Sequence, residues 1–405
     1  MATGSGEWTA VKPVRGFRLG TAMAGIRKPG RRDLVVMNWD KGSSVAGVFT
    51  LNRFCAAPVH LSRERLTSDP RYFLINTGNA NAGTGEQGMV AARQTSSELA
   101  TLSGVNECQV LPFSTGVIGE QLPVNTLCAA LPAALSDLQE DNWLHAAEGI
   151  MTTDTRPKGS SRQFQHEGTT YTVSGISKGA GMIKPNMGTM LAYIATDAAV
   201  EQTFLQNLLL DITNQSFNRI TIDGDTSTND SFMVVATGAA GNDPITSRDS
   251  GLAGKLAASL REVAVELAQA IVRDGEGATK FVTVKVAEAA SHQDALEVAY
   301  TVAHSPLVKT ALFASDPNWG RILAAVGRAD IPALEIDRVS IWLGDTAIVD
   351  CGQPAVGYTE EAGQKVMDQE DILIRISLGA GHCTEEIWTT DLSHEYVKIN
   401  AEYRT

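Results

Sequence analysis

The chain has 405 residues and a formal net charge of −13, from 33 Lys and Arg against 46 Asp and Glu. That length suffices for two or three domains and a large core, and the acidic balance argues against nucleic acid or an anionic membrane surface as partner. No apolar run reaches the about 18 residues of a membrane-spanning helix, residues 1–7 lack the basic-then-apolar layout of a secretory signal, and Cys55, Cys108, Cys128, Cys351 and Cys383 are scattered without a C-x-x-C pair, so a cytoplasmic protein with reduced thiols is expected.

Residues 33–37 and 44–50 are apolar and split by the turn Asp40-Lys41-Gly42, which predicts two strands. Residues 72–75 read as a buried strand, 76–83 as a polar loop of small residues and 85–102 as a helix. Such a loop suits a ligand, but a plain strand–loop–helix turn accounts for it better. A further apolar strand runs from Val110 into Ser114-Thr115-Gly116. Successive amides beside a glycine form nests that hold a negative oxygen, and in acyl transfer a nest serves as an oxyanion hole. Helices are expected over 125–138 and 143–151. The run from Met151 through Thr152, Thr153 and Asp154 to Lys158 has the composition of an Asp-centred turn. Residues 168–175 alternate as a strand.

The segment from Lys178 to Asp197 carries the clearest chemistry. Its first half holds Gly179, Gly181, Pro185 and Gly188, residues suited to tight bends. Its second half, 189–196, is apolar and strand-sized. Gly188 has no side chain to shield its carbonyl, and Thr189 carries a hydroxyl close to its own nitrogen. A cut between them would give Thr189 a free α-amine. Such an amine titrates near ~7.7–8.0 and can act as base for its own hydroxyl, as in other N-terminal threonine nucleophiles. The Gly-Thr pair by itself is only a turn entering a strand.

A helix over 201–216 and a strand over 219–222 lead to the loop Asp223 to Asp230, then a strand over 232–236. Asp223, Asp225 and Asp230 suggest a metal. An EF-hand loop, however, requires glycine at its sixth position and glutamate at its twelfth, where this chain has Thr228 and Val234. The histidines show no ligand spacing either, so no metal is expected, and an Asx-rich loop beside the active site is the better account. Leu252, Leu256, Leu260, Val263, Leu267 and Ile271 mark one face of an amphipathic helix ending at Arg273. Glu276 then sits between two glycines before a strand over 281–286, where a solvated loop acid is the ordinary reading and pairing with a cation the functional one. A helical stretch over 292–313 precedes the turn Asp316-Pro317 and another helix, whose Arg321 suits a carboxylate or simple packing. Strands are expected over 339–343, 347–349, 372–378 and 383–389. Alternating strands and helices predict an α/β fold.

Several of these stretches resemble one family. Residues 48–59, 178–197 and 315–322 are similar to motifs of the ornithine acetyltransferase (glutamate N-acetyltransferase) family of arginine biosynthesis, and the resemblance extends from about residue 16 to 405. In that family the chain cleaves itself before the threonine, after an alanine where this chain has Gly188. The resemblance implies halves 1–188 and 189–405 that stay together, associated as a dimer of such pairs. It implies a layered sandwich of central sheets flanked by helices, of the N-terminal-nucleophile-like, DmpA-like type. It also makes Thr189 the nucleophile and Thr115 and Gly116 the oxyanion contacts. Thr152 becomes a substrate contact with Thr153 held second, and Glu276, Asn400 and Thr405 touch substrate. Lys178 then suits the α-carboxylate shared by both substrates, and Glu276 the cationic side chain of ornithine.

The implied reaction is a ping-pong transfer. Thr189 takes acetyl from N2-acetyl-L-ornithine, ornithine leaves, and L-glutamate collects the acetyl group as N-acetylglutamate. No cofactor is needed; a bifunctional member also accepts acetyl-CoA. The alternatives are an amidohydrolase or aminopeptidase, in which water discharges the acyl-enzyme, and a non-enzymatic small-molecule binding protein with Gly188-Thr189 intact.

Overall fold

The computed structural model describes residues 2–4, 6–184 and 190–402. Gly188, Thr189 and Thr405 lie outside them. The chain forms two compact units. The larger comprises Glu7–Asn218 and Asp225–Ile271, the smaller Met1–Gly6, Arg219–Gly224 and Val272–Thr405.

In the larger unit the elements run β1 (Phe17–Ala22), β2 (Leu34–Trp39), β3 (Ser44–Phe49), α1 (Ala57–Arg65), β4 (Tyr72–Asn79), α2 (Gly85–Ser103), β5 (Val110–Val117), α3 (Val124–Ser136), α4 (Trp143–Ile150), β6 (Lys158–His166), β7 (Thr169–Lys178), β8 (Leu191–Thr196), α5 (Gln202–Gln215), β9 (Ser231–Ala236) and α6 (Gly251–Arg273). They build two sheets, ordered β1-β2-β4-β5 and β3-β9-β8-β7-β6. Strand periodicity explains their packing, because successive side chains point to opposite faces. Val35, Met37, Phe73, Ile75, Leu111 and Phe113 of the first sheet share one core with Leu191, Tyr193, Ala195, Met233 and Val235 of the second. The intervening Leu34, Val36, Leu74 and Val110 turn the other way, onto Leu99, Leu127 and Leu131 of α2 and α3. On the far side α5 packs along β3, and Leu267 of α6 meets the bare backbone of Gly175. The result is helix, sheet, sheet, helix, the layered sandwich expected.

An aromatic chain crosses the inter-sheet core. Trp39 meets Phe73 at 4.5 Å, and Phe73 and Phe113 lie 5.6 and 5.4 Å from Tyr193. Pairs of this kind add about 0.5–1.5 kcal/mol each beyond burial. They anchor β8 close to its first residue, which matters for whatever precedes it.

The smaller unit has β10 (Phe281–Ala289), α7 (His292–Ala303), α8 (Pro306–Phe313), α9 (Trp319–Gly327), β11 (Ser340–Leu343), β12 (Thr346–Asp350), β13 (Gln353–Pro354), α10 (Glu360–Met367), β14 (Asp371–Ser377), β15 (Cys383–Thr390) and α11 (His394–Glu402). Its sheet is ordered β13-β12-β11-β14-β10-β15. Val282, Val284, Val286, Ile374 and Ile376 pack on Val298, Val302 and Val326. Among the described residues no helix is long and apolar enough to cross a membrane.

Three expectations need correction. Residues 76–79 continue β4 instead of opening a loop, and Thr115 and Gly116 lie within β5. Residues 219–222 form only the end of a 3-10 turn and a single bridge from Ile220 to Trp388. The stretch 292–313 breaks into α7 and α8, because Ser305 caps α8 and Pro306 is its first residue.

Candidate functional site

In the larger unit, β5 and β7 deliver the central side chains. Lys178, the last residue of β7, donates through Nζ to Thr115 Oγ1 and to Thr152 Oγ1, each at 2.9 Å. An ammonium has donors and no acceptor. Thr115 therefore accepts from Lys178, and its own hydroxyl proton is left to donate elsewhere. Next to it Gly116 has φ +136°, and a Cβ there would lie 2.3 Å from the carbonyl carbon of Gly78. Only glycine permits that approach. The register between β4 and β5 slips at this point, where Gly78 faces Gly116.

Asp154 organises the floor. Its Oδ1 accepts from Lys158 Nζ at 2.6 Å and from the Gly179 N–H at 2.7 Å, and its Oδ2 from the Thr152 N–H at 2.9 Å. Asp154 and Lys158 side chains are 0% and 1% exposed. Burial alone would push the Asp154 carboxyl up. The charges of Lys158 and Lys178, with these hydrogen bonds, reverse that and hold it well below the usual carboxylate range. One buried anion thus fixes the Thr152 loop, the start of β6 and the exit of β7.

The Asx-rich loop supplies the opposite wall. Asn229 Nδ2 donates to the carbonyls of Ala80 and Ser114, at 2.6 and 2.9 Å. It thereby pins the residue preceding Thr115. Asp230 follows it. A cavity of about 30 Å³ is lined by Thr115, Lys178, Met190, Ser227, Asn229 and Asp230, among others.

The smaller unit carries a separate group. Asn400 Nδ2 donates to Glu276 Oε2 at 2.7 Å, and Asn400 is held on α11 one turn beyond Tyr396. The Tyr396 hydroxyl donates to Asp223 Oδ2 at 3.1 Å. Arg321 donates to the Leu307 carbonyl at 2.9 Å, a contact that joins α9 to α8. Among the described residues no three His, Cys, Asp or Glu side chains converge as a metal would require.

Of the residues singled out in the sequence, Thr115, Gly116, Thr152 and Lys178 come together, and Glu276 meets Asn400. Thr153 is half-buried and is not among these contacts. Sequence reasoning gave Asp154 and Asn229 no role of their own and placed Asp230 only within an Asx-rich loop beside the active site. Their signals were present: an acid four residues before a lysine, and an Asn-Asp pair directly ahead of the apolar run of β9.

Residues 18–405 match the model of the ArgJ family. The chain belongs to the ArgJ family. It is 63% identical over 405 residues, the full length of both chains, to the arginine biosynthesis bifunctional protein ArgJ of Pseudomonas fluorescens, and 63% identical over the same span to that of Pseudomonas syringae pv. tomato. Among solved structures, the arginine biosynthesis bifunctional protein of Bacillus halodurans is 38% identical over 52% of this chain and 97% of that one, with a TM-score of 0.49. The family anticipated from the motifs is therefore the right one, and the ArgJ family places the chain among the acetyltransferases of arginine biosynthesis.

Proposed function

We propose that this ArgJ-family chain cuts itself between Gly188 and Thr189, and that Thr189 then carries acetyl from N2-acetyl-L-ornithine to L-glutamate. The observation that supports this best is Lys178 bonded at once to Thr115 and Thr152. It leaves one hydroxyl proton beside Gly116 for a developing oxyanion, where donors are typically worth about 3–4 kcal/mol each. The α-amine of Thr189 takes the hydroxyl proton and returns it to the departing ornithine amine. Thr152 and Lys178 hold the substrate carboxylate. Glu276 and Asn400, with Thr405, complete substrate recognition, Glu276 meeting the ornithine side chain.

Halves 1–188 and 189–405 remain associated and assemble further as a dimer of pairs in the cytoplasm. The name of the Pseudomonas relatives, a bifunctional protein, favours acetyl-CoA as a second acetyl donor. The test combines two measurements on purified protein. Intact masses under denaturing conditions are expected to give two chains divided at Gly188 and Thr189. Incubation with N2-acetylornithine is expected to add one acetyl group to the Thr189 chain, and glutamate to remove it as N-acetylglutamate. Discharge by water with no preference for glutamate would refute the transferase reading.

A further inference from the structure

In the proposed cycle Glu276 meets the cationic side chain of ornithine, with Asn400 beside it. A third residue of the same unit holds the segments that carry them. We propose that Asp391 is a positioning residue for specificity: it ties the Glu276 turn to the strand end from which α11 departs, and so presents the Glu276–Asn400 pair to a substrate with a terminal amine. This deepens the reading of Glu276 as a substrate contact and rests on it.

Glu276 sits in a tight turn. The Ala278 N–H donates to the Gly275 carbonyl at 2.9 Å, with Glu276 and Gly277 between them. Gly277 has φ +67°, the positive angle that a type II turn requires at its third position. A Cβ there would lie 2.5 Å from Ser393 Oγ and 2.6 Å from the Tyr396 nitrogen, so the turn rests on the first turn of α11. Asp391 joins the two. It is 4% exposed. Its Oδ1 accepts from the Thr279 and Lys280 N–H groups at 2.8 and 3.1 Å, and its Oδ2 from the Thr279 hydroxyl at 2.6 Å. Among the described residues, every hydrogen bond to this carboxylate comes from those two residues, 112 and 111 positions earlier in the chain. A buried anion is costly unless it is bonded, and bonds to an ionised acceptor are about twice as strong as neutral ones. The link is therefore short, strong and directed at the Glu276 segment alone.

Asp391 itself stands on a fixed base. Lys309 of α8 donates to Thr389 Oγ1 at 3.2 Å and to the Thr390 carbonyl, and its own carbonyl accepts from the Leu392 N–H at 3.2 Å. Phe281 pairs with Thr390 where β10 and β15 meet. Beyond Asp391, Ser393 Oγ accepts from the Tyr396 N–H at 3.3 Å and caps α11. One turn after Tyr396, Asn400 Nδ2 reaches Glu276 Oε2 at 2.7 Å. The same stretch of chain thus holds Glu276 twice, near its backbone through Asp391 and at its side chain through Asn400. A slip between the two holds misplaces the carboxylate, and an error of about 1 Å in such a group can cost about a hundredfold.

The experiment measures kcat and KM of the purified full chain for acetyl transfer to glutamate. The donors are N2-acetyl-L-ornithine and N2-acetyl-L-norvaline, which has the same carbon chain without the terminal amine. The readout is the ratio of the two kcat/KM values, which is expected to favour the ornithine donor in wild type. Asp391→Asn keeps size and removes the charge; Thr279→Val keeps shape and removes one bond. The ratio is expected to fall about tenfold in Asp391→Asn and about threefold in Thr279→Val, the loss lying in KM for the ornithine donor, and to return in Thr279→Ser. With Glu276→Gln already present, Asp391→Asn is expected to lower the ratio no further. If Glu276→Gln alone leaves the ratio at the wild-type value, Glu276 does not meet the ornithine side chain, and this inference falls with that reading. If Glu276→Gln lowers the ratio while Asp391→Asn and Thr279→Val leave it unchanged, the reading of Glu276 stands and the role of Asp391 is overturned. An equal fall from Asp391→Asn with and without Glu276 overturns it as well. Should Asp391→Asn fail to fold, Thr279→Val against Thr279→Ser decides in the same way.

Discussion

Replacing Asp154 by Asn removes the one anion that the site's floor is built on. The substitution keeps size and one carbonyl oxygen, but takes away the carboxylate that Lys158, itself only 1% exposed, meets at 2.6 Å. Breaking a buried pair from one side costs about 3–5 kcal/mol, because the surviving charge is stranded. The hydrogen bonds from Thr152 and Gly179 also lose their charged acceptor. For a unit of this size the thermal midpoint is expected to fall by about 10 °C. The assay is thermal and urea unfolding of the full chain, wild type against Asp154→Asn and against Asp154→Asn with Lys158→Met. The double variant removes both members of the pair, so it is expected to recover most of the loss. The pH dependence has a defined sign. Asp154 has a folded pKa below its unfolded value, so its contribution is complete above about pH 4 and is lost as pH falls towards the folded value. Asp154→Asn is expected to flatten acid unfolding in that range. A single variant as stable as wild type, or a double variant no better than the single, would refute the reasoning.

Two other outcomes follow from buried groups. The Tyr193 hydroxyl is buried between the sheets without a hydrogen-bond partner among the described residues; Tyr193→Phe is expected to raise stability by about 1 kcal/mol, read as a higher urea midpoint at unchanged slope, and a loss instead would show an unseen partner. In the smaller unit, burial pushes Lys309 down to about 8, with Asp391 and Asp223 opposing. The unfolded lysine titrates near ~10.4, so between those values the unfolded chain binds more protons and stability rises with pH. Lys309→Met is expected to remove that rise, and an unchanged slope of unfolding free energy against pH would count against the assignment.

The inter-sheet core was legible because β2, β4, β8 and β9 are written in apolar residues on both faces. What the pattern hid was polar structure. Residues 76–79 looked like a loop, yet Asn76, Thr77 and Asn79 are buried in β4. Their side chains replace water with one another: Ser114 Oγ donates to Asn76 Oδ1 at 2.6 Å, and Thr77 Oγ1 to the Gly149 carbonyl at 2.6 Å. β6, sequence KGSSRQFQH, has almost no apolar alternation and is held by its ladder with β7 and by Arg162 ion pairs to Glu262 and Glu266. The break between α7 and α8 was written in Ser305-Pro306, a cap and a first-turn proline that apolar periodicity alone passes over. For the site, hydroxyls and Lys178 were legible as chemistry in a motif. Asp154, Asn229 and Asp230 were not, because their roles come from what the fold sets around them and leave little trace in local spacing.

The order β3-β9-β8-β7-β6 sets β8 and β9, which follow residue 189, between strands that precede it on both flanks. While the chain is whole, β7 and β8 are tethered by a short connection and find each other at an effective concentration of order millimolar. A break at Gly188 and Thr189 leaves every ladder in place but changes the molecularity of refolding from one to two. Recovery after denaturation then depends on dilution, as it does for any two-chain complex. With the proposed cut, the sheet has to be assembled before it is divided, and the divided protein would last only as long as it avoids unfolding.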